Sequence, residues 1–383
     1  MFRRATLFHF FGFPVKADAS WVFLSVLLMW TLSTKIFPYS LPKLDLQTYQ
    51  IMGFAALVGI FVSIIAHEVA HAVIAEYYHM PIESITLFIF GGVAEMRGDP
   101  SHPKGEFLMA IAGPVMSGLM GLFFWAAAEL YQLYFRPGPT TEVLIYLGNI
   151  NLLIAVFNMV PAFPLDGGRA LRAVIWKMKN NLVLATRIAS NLGAAFAYGL
   201  MAYACYKVVW WNQLGAAFWW GMLGYFVLAA GSYAVKQTEN RSLLGAETVS
   251  RFMHDQIVPV SPDLVLNDLV ENFVSKHYQR VYPVVDRGQL VGVITLQSLL
   301  SMDRSKWLWL HVSSVMEPVT ADNTVSSSYN AAEALDLMQR HQRDQLLIAD
   351  DGKFMGAVAL RDLAAFLSIT KKIDYNKPVV HSK

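Results

Sequence analysis

Long apolar segments separated by short polar loops constrain this 383-residue chain more than any other feature. Six such segments cover residues 19–36, 51–79, 105–133, 141–163, 187–208 and 213–235. Each is close to or longer than the ~20 residues that an α-helix needs to cross a bilayer. Charged residues make up 15% of the chain, whereas soluble domains carry about 25%. The sequence therefore predicts a polytopic α-helical membrane domain with six transmembrane helices.

Basic residues are distributed unequally between the two sides of this predicted domain. An even number of spans puts both termini on one side. The loops on that side carry Arg3, Arg4, Lys16, Arg97, Lys104, Arg169, Arg172, Lys177, Lys179, Arg187 and Lys236. The opposite loops carry only Lys35, Lys43, Arg136 and Lys207. Because cytoplasmic loops are enriched in Lys and Arg, we expect both termini and the 166–187 loop to be cytoplasmic.

The N-terminal stretch "MFRRATLFHFFGFPVKADAS" has some features of a secretory signal peptide. Its apolar part is short and is interrupted by His9, Gly12 and Pro14, which disfavours that interpretation. We expect instead a cytoplasmic segment that lies along the membrane and leads into the first span.

The composition changes near residue 238, which divides a membrane domain, residues 1–237, from a more charged C-terminal part. That part contains an internal repeat, whose copies occupy residues 245–303 and 312–370. Gly292 and Gly356 are 64 residues apart and occupy equivalent positions in the two copies. Each copy has the pattern strand, helix, strand, strand, helix, so the two copies are expected to pack as an α+β pair.

The second apolar segment contains "HEVAH", with His67, Glu68 and His71 at membrane depth. Ionisable groups there cost about 2.5–3.5 kcal/mol each on insertion scales, so they indicate function. His67 and His71 are four residues apart and share one helix face, where both imidazoles can reach a zinc ion. Glu68 points part-way round the helix and could accept the proton of a water that zinc activates. The alternative is a pair of buried, hydrogen-bonded histidines.

A catalytic zinc site needs a third protein ligand. The single cysteine, Cys205, excludes a cysteine-based site, so the third ligand has to be another ionisable residue at membrane depth. The best candidate is Asp166 in "NMVPAFPLDGG", where two prolines and two glycines release the helix. The alternative for Asp166 is an ordinary Asp-Gly turn that ends a helix.

Together, "HEVAH" in a transmembrane helix and "NMVPAFPLDGG" two spans later resemble the site-2 protease family of intramembrane zinc metalloproteases, peptidase family M50. Further similar stretches are "FGFPVKADASW", "FGGVAEM" and "AGPVMSG". The resemblance implies a six-helix zinc endopeptidase that cuts a transmembrane segment near the cytoplasmic face. By position, His67, His71 and Asp166 match the zinc ligands of the family, and Glu68 matches its catalytic glutamate.

Two more positions follow from the same resemblance. Asn158 matches the asparagine of the second motif, which could stabilise the oxyanion or hold the substrate backbone, or could only join two helices. Many members have Asn where this chain has Ser117, which weakens any polar role borrowed for that position but leaves the zinc chemistry intact. Independently of the resemblance, the sequence pattern predicts a cytoplasmic-side hairpin over residues 84–98 around a Gly91–Gly92 turn. This hairpin could only connect two spans, or its edge could hold unwound substrate by strand addition.

The C-terminal repeats resemble the tandem CBS domains first noted in cystathionine beta-synthase. Such pairs commonly bind adenine nucleotides through a Thr or Ser and an Asp three residues further on. The first copy has Thr295 but Ser298 at the Asp position, and the second has Asp362 but Ala359 at the Thr position. We therefore leave open a nucleotide site at Thr295 and Asp362, or a dimerisation or docking module without a ligand.

We interpret the chain as an integral-membrane zinc endopeptidase regulated by its CBS pair. The expected partners are the lipid bilayer, a membrane protein substrate (an anti-sigma factor, a pro-sigma factor or another membrane-tethered regulator) and other copies of the chain. No nucleic acid partner is expected. The alternatives are an inactive family member and a CBS-regulated membrane transporter. A transporter would place polar residues along several spans, whereas here they concentrate at one locus.

Overall fold

The computed structural model describes residues 5–10, 13–80, 82–88, 91–96, 100–277 and 279–375. Within them the chain divides into two compact units, Met1–Thr238 and Glu239–Lys383, referred to below as the membrane unit and the C-terminal unit.

Helices dominate the membrane unit. In chain order they are α1 (Ala19–Thr31), a π-helical turn (Leu32–Ile36), α2 (Phe37–Ser40), α3 (Leu46–Tyr77), α4 (Pro103–Tyr134), α5 (Pro139–Asn158), α6 (Asp166–Lys179), α7 (Leu182–Trp211) and α8 (Leu214–Leu244). The last residues of α8, from Glu239 onward, belong to the C-terminal unit. Within the described residues, six helical stretches are long and apolar enough to cross a membrane: Ala19–Ser40, α3, α4, α5, α7 and α8. The prediction of six transmembrane helices is therefore confirmed.

Large apolar side chains on these helices point outward. Phe23, Ile51, Phe123 and Trp210 are each more than 60% exposed. The buried positions of α7 are instead small residues, among them Ala185, Ala189, Ser190, Gly193 and Ala197. This arrangement suits lipid as the surrounding solvent, because helices in a bilayer associate by close packing of small residues.

The short helix α6 corrects the prediction of a loop over residues 166–187. Gly167 and Gly168 do not break the chain; they open the helix and let it pack tightly on the preceding segment. A Cβ on Gly167 would overlap the carbonyl oxygen of Met159, and one on Gly168 would overlap the backbone nitrogen of Phe163. The apolar residues that follow these glycines recur at helical spacing, but the two glycines suggested a break in the chain and not the start of a helix.

A four-stranded sheet in the membrane unit consists of β1 (Ala5–Phe10), β2 (Phe13–Ala17), β3 (Ile82–Phe88) and β4 (Gly91–Met96), in that order. β2 pairs with β3 in parallel, and the other two pairs are antiparallel. The predicted hairpin is present as β3–β4, but Gly91 and Gly92 lie inside β4, opposite Phe88 and Leu87, and do not form its turn. The N-terminal stretch, expected only to follow the membrane, provides two strands of this sheet.

The C-terminal unit has one mixed sheet with helices packed against it. Its strands are β5 (Val281–Asp286), β6 (Gln289–Thr295), β7 (Glu317–Pro318), β8 (Thr324–Val325), β9 (Gln345–Asp350) and β10 (Lys353–Ala359). Its helices are α9 (Leu266–Leu269), α10 (Ser275–His277), α11 (Leu296–Leu300), α12 (Ala331–His341) and α13 (Leu360–Tyr375). The strand order is β5-β6-β10-β9-β8, and β7 pairs with β6.

Two equivalent hairpin turns show the internal repeat at the level of the backbone. Arg287 and Gly288 join β5 to β6 with φ of 45° and 84°, and Asp351 and Gly352 join β9 to β10 with φ of 50° and 79°. Positive φ at both central residues is the type I′ geometry that matches the twist of paired strands. Two apolar cores also follow the repeat, one that contains Tyr282 of the first copy and one that contains Met338 of the second copy together with Leu244 and Val249.

Candidate metal centre

Three ligand atoms from two helices converge inside the membrane unit. His67 and His71 lie on α3, and Asp166 is the first residue of α6. The Nε2 atoms of His67 and His71 are 3.1 Å apart. Oδ2 of Asp166 lies 3.2 Å from Nε2 of His67 and 3.3 Å from Nε2 of His71. All three residues are at least 92% buried. Because Asp166 is the first residue of α6, the positive end of the helix dipole stabilises its negative charge.

The spacing of these atoms matches a tetrahedral metal site. Zinc lies about 2.0–2.1 Å from histidine nitrogen and carboxylate oxygen, so two tetrahedral ligands are about 3.3 Å apart. The position facing both histidines is kept open by Gly113 of α4. A Cβ on this residue would lie 2.6 Å from Nε2 of His67 and closer still to that of His71. The donor set and the space beside it therefore fit zinc.

The opposite edges of the two imidazoles contact α4. Nδ1 of His71 donates to the carbonyl oxygen of Met109 at 2.6 Å, and Nδ1 of His67 lies 2.8 Å from Oγ of Ser117. A carbonyl can only accept, so His71 carries its proton on Nδ1 and directs the lone pair of Nε2 toward the other ligand atoms. Met109, Gly113 and Ser117 are spaced four apart and so form one stripe of α4 along the site.

Strand β4 lies directly beside Glu68. This glutamate is 7% exposed and follows His67 on α3. A Cβ on Gly92 would be 2.6 Å from Cγ of Glu68 and 2.8 Å from its Oε1. Only a residue without a side chain allows this approach, so the glycine brings the backbone of β4 against the carboxylate.

A buried ion pair fixes α6, which carries Asp166, to α4. Glu106 is fully buried, and its Oε1 accepts from Nε of Arg172 at 2.6 Å and also from Nη2 of Arg172. The Arg172 guanidinium also stacks 4.9 Å above the ring of Phe163, in the segment that precedes α6. These contacts set where α6 begins, and therefore where the Asp166 carboxylate lies.

Asn158 is the last residue of α5 and is half-buried. Among the described residues, no hydrogen bond joins it to His67, His71 or Asp166, so its role stays a prediction. Ser117, at the position where the departure from the family weakened a polar role, does make a polar contact with a predicted ligand, His67. The four-residue spacing of Met109, Gly113 and Ser117 in "MAIAGPVMS" is the signal that could have found this stripe.

In the C-terminal unit, both residues predicted for nucleotide binding already have protein partners. Oγ1 of Thr295 lies 2.7 Å from Oγ of Ser298 and caps α11 by accepting from the Ser298 amide. Oδ2 of Asp362 lies 2.9 Å from Nε2 of His254, and Nε of Arg361 is 3.7 Å from Oδ1.

Comparison with known proteins agrees with this architecture. The model of peptidase family M50 matches residues 55–136 and 134–200, and the CBS domain model matches residues 249–304 and 312–369. The zinc metalloprotease MJ0392 of Methanocaldococcus jannaschii is 27% identical over 364 residues, which are 95% of this chain and 96% of that protein. The stage IV sporulation protein FB of Bacillus subtilis is 32% identical over 117 residues, 30% of this chain and 38% of that protein.

Among solved structures, a site-2 protease from Methanocaldococcus jannaschii aligns with a TM-score of 0.43 and 26% identity, over 60% of this chain and 94% of that one. The chain belongs to peptidase family M50, the site-2 protease family, and carries a tandem pair of CBS domains. It is a multi-pass integral membrane protein of a metalloprotease family, and relatives that align over nearly its whole length are named zinc metalloproteases.

Proposed function

We propose that this chain is an intramembrane endopeptidase in which His67, His71 and Asp166 hold zinc and Glu68 is the general base. The observation that carries the proposal is the separation of the three ligand atoms, 3.1–3.3 Å. This is about the separation of 3.3 Å that a tetrahedral zinc site needs. The site lies among transmembrane helices, so the substrate is a peptide segment within or at the membrane.

Each side chain has a distinct task in this proposal. Zinc, when bound, supplies Lewis-acid polarisation and lowers the pKa of its water to about 7. Glu68 would act as the general base, accepting a proton from the attacking water as it adds to the peptide carbonyl and returning that proton to the leaving amine. Asn158 is proposed to donate from its amide to the substrate backbone or to the developing oxyanion.

Substrate is proposed to bind along β4. A transmembrane helix shields its own peptide bonds, so cleavage requires a locally unwound, extended segment. β4 is an edge strand of the four-stranded sheet, and such an edge can pair with an extended peptide. Because Gly92 of β4 lies against Glu68, a peptide held on this strand would run past the proposed base.

The substrate class follows from the orientation that we propose. With both termini in the cytoplasm, the site lies in the cytoplasmic half of the bilayer and the cut falls near the cytoplasmic face. A cut there would release a cytoplasmic domain, which suits a membrane-tethered regulator such as an anti-sigma or pro-sigma factor. The CBS pair is proposed to regulate this activity and to associate with the pair of a second copy.

We also propose that the CBS pair senses an adenine nucleotide. Support comes from the exposed position of the His254–Asp362 pair, in which the His254 side chain is 51% exposed. A surface pair of this kind contributes little stability, so Asp362 can exchange His254 for ribose hydroxyls at low cost.

The function is tested with Glu68→Gln in purified full-length protein, with a fluorescein-labelled unfolded protein such as casein as substrate. We expect at least a 100-fold loss of cleavage with zinc content unchanged, because only proton transfer is removed. Glu76→Gln is the matched control, since Glu76 lies on the same helix and is exposed. Full activity in Glu68→Gln would overturn the mechanism, and zinc binding without cleavage by the wild type would favour an inactive member.

A further inference from the structure

The two proposed ligand histidines have hydrogen-bond partners of different chemical kinds. The partner of His71 is the backbone carbonyl of Met109, and the partner of His67 is the hydroxyl of Ser117. A carbonyl only accepts, so it permits one tautomer of His71. A hydroxyl both accepts and donates, so it is compatible with either tautomer of His67.

Only one of these tautomers can bind metal. When Nδ1 of His67 carries the proton and donates to Oγ of Ser117, the lone pair of Nε2 faces the metal position. When the hydroxyl donates to Nδ1 instead, the proton sits on Nε2 and His67 cannot act as a ligand. The orientation of the hydroxyl therefore determines whether His67 is available as a ligand.

The surroundings of Ser117 favour a strong, specific interaction. Ser117 is 1% exposed and His67 is 5% exposed, so water cannot substitute for either partner. A lost acceptor in such a place leaves a buried N–H without a partner, which costs about 1–3 kcal/mol. Ser117 also lies on the α4 stripe with Gly113, so the same helix face that leaves space for the metal supplies this acceptor.

We propose that Ser117 is the positioning residue that accepts the Nδ1 proton of His67, holds this histidine in its metal-binding tautomer and thereby sets the affinity of the centre for zinc. The inference rests on the proposed function, in which His67 is a ligand. It assigns a role to a position where, by the resemblance above, many family members have asparagine.

The experiment measures zinc affinity of the full-length protein in detergent, by competition with chelators of graded strength. Ser117→Ala should lower the affinity about 10–100-fold, as expected for loss of the partner that orients a ligand histidine. Ser117→Thr keeps the hydroxyl and should stay within about threefold of the wild type. The cobalt(II) absorption spectrum should change in Ser117→Ala and remain like that of the wild type in Ser117→Thr.

Ser63→Ala is the matched control. Ser63 is equally buried, one turn before His67 on α3, and its hydroxyl accepts from Asn151 and donates to the carbonyl of Gly59. We expect the zinc affinity of Ser63→Ala to equal that of the wild type. A lower affinity in Ser117→Ala would then come from loss of the His67 contact and not from loss of a buried hydroxyl as such. Equal affinity in Ser117→Ala and wild type would overturn the inference. His67→Ala is measured in parallel, and zinc retention in that variant would overturn the proposed function itself.

Discussion

At the scale of single residues, the proposed metal centre depends as much on the missing side chain of Gly113 as on its ligands. Gly113 faces both Nε2 atoms, and a Cβ there would lie within 2.6 Å of each of them, in the space where we propose that zinc binds. We expect Gly113→Ala to lose bound zinc, measured as the zinc-to-protein ratio, even though alanine is the better helix former.

Gly118→Ala is the control, because Gly118 lies on the same helix and a Cβ there meets nothing within 4 Å. This variant should keep zinc and gain slightly in thermal stability. Equal zinc content in the two variants would contradict the assignment of the space beside Gly113 to the metal.

The sequence predicts those residues of the site whose positions follow from the geometry of a single helix. The spacing of His67 and His71 predicts a shared helix face, and the structure has their Nε2 atoms 3.1 Å apart. Asp166 was found because few ionisable residues lie at membrane depth. Gly113 and Ser117 were missed, because their contacts depend on how α4 packs against α3, and helical spacing within one segment does not give that packing.

At the scale of elements, the Glu106–Arg172 pair decides where α6 lies. We expect Arg172→Met to destabilise the membrane unit by about 3–5 kcal/mol, because it leaves a buried carboxylate without its partner. The loss is measured as a lower melting temperature in detergent, together with a lower zinc content, since Asp166 moves with α6.

The double variant Glu106→Leu/Arg172→Met removes both charges and should recover most of the lost stability. Zinc content should recover less than stability, because an apolar contact does not fix the position of α6 as the ion pair does. A double variant no more stable than Arg172→Met would show that the pair does not act as a unit.

Long helices with a continuous apolar pattern could be predicted from the sequence, whereas short helices and strands could not. The six membrane helices follow directly from apolar length. β1, β2 and α6 were missed for different reasons. The two strands are short and pair with distant residues of β3, and the glycines at the start of α6 suggested a break where tight packing requires them.

At the scale of the whole molecule, the C-terminal unit is expected to respond to nucleotide. Isothermal titration of the full-length protein with AMP, ADP and ATP separately should give saturable heat with at least one of them. Asp362→Ala should abolish that heat, and His254→Ala should preserve or strengthen it, because it frees the Asp362 carboxylate.

Asp322→Ala serves as the control, since Asp322 is an exposed acid of the same repeat and should leave the titration unchanged. The absence of heat with all three nucleotides would remove the sensor proposal and leave the CBS pair as a docking or dimerisation module.

The order of the donor set along the chain also bears on how the enzyme is made. His67 and His71 are synthesised and inserted well before Asp166, which follows 95 residues after His71. A nascent chain with only its first spans in the bilayer therefore has two of the three donors. If the proposed ligand set is correct, the enzyme becomes competent only after α6 has packed into place, so a partly inserted chain could not cleave its neighbours in the membrane.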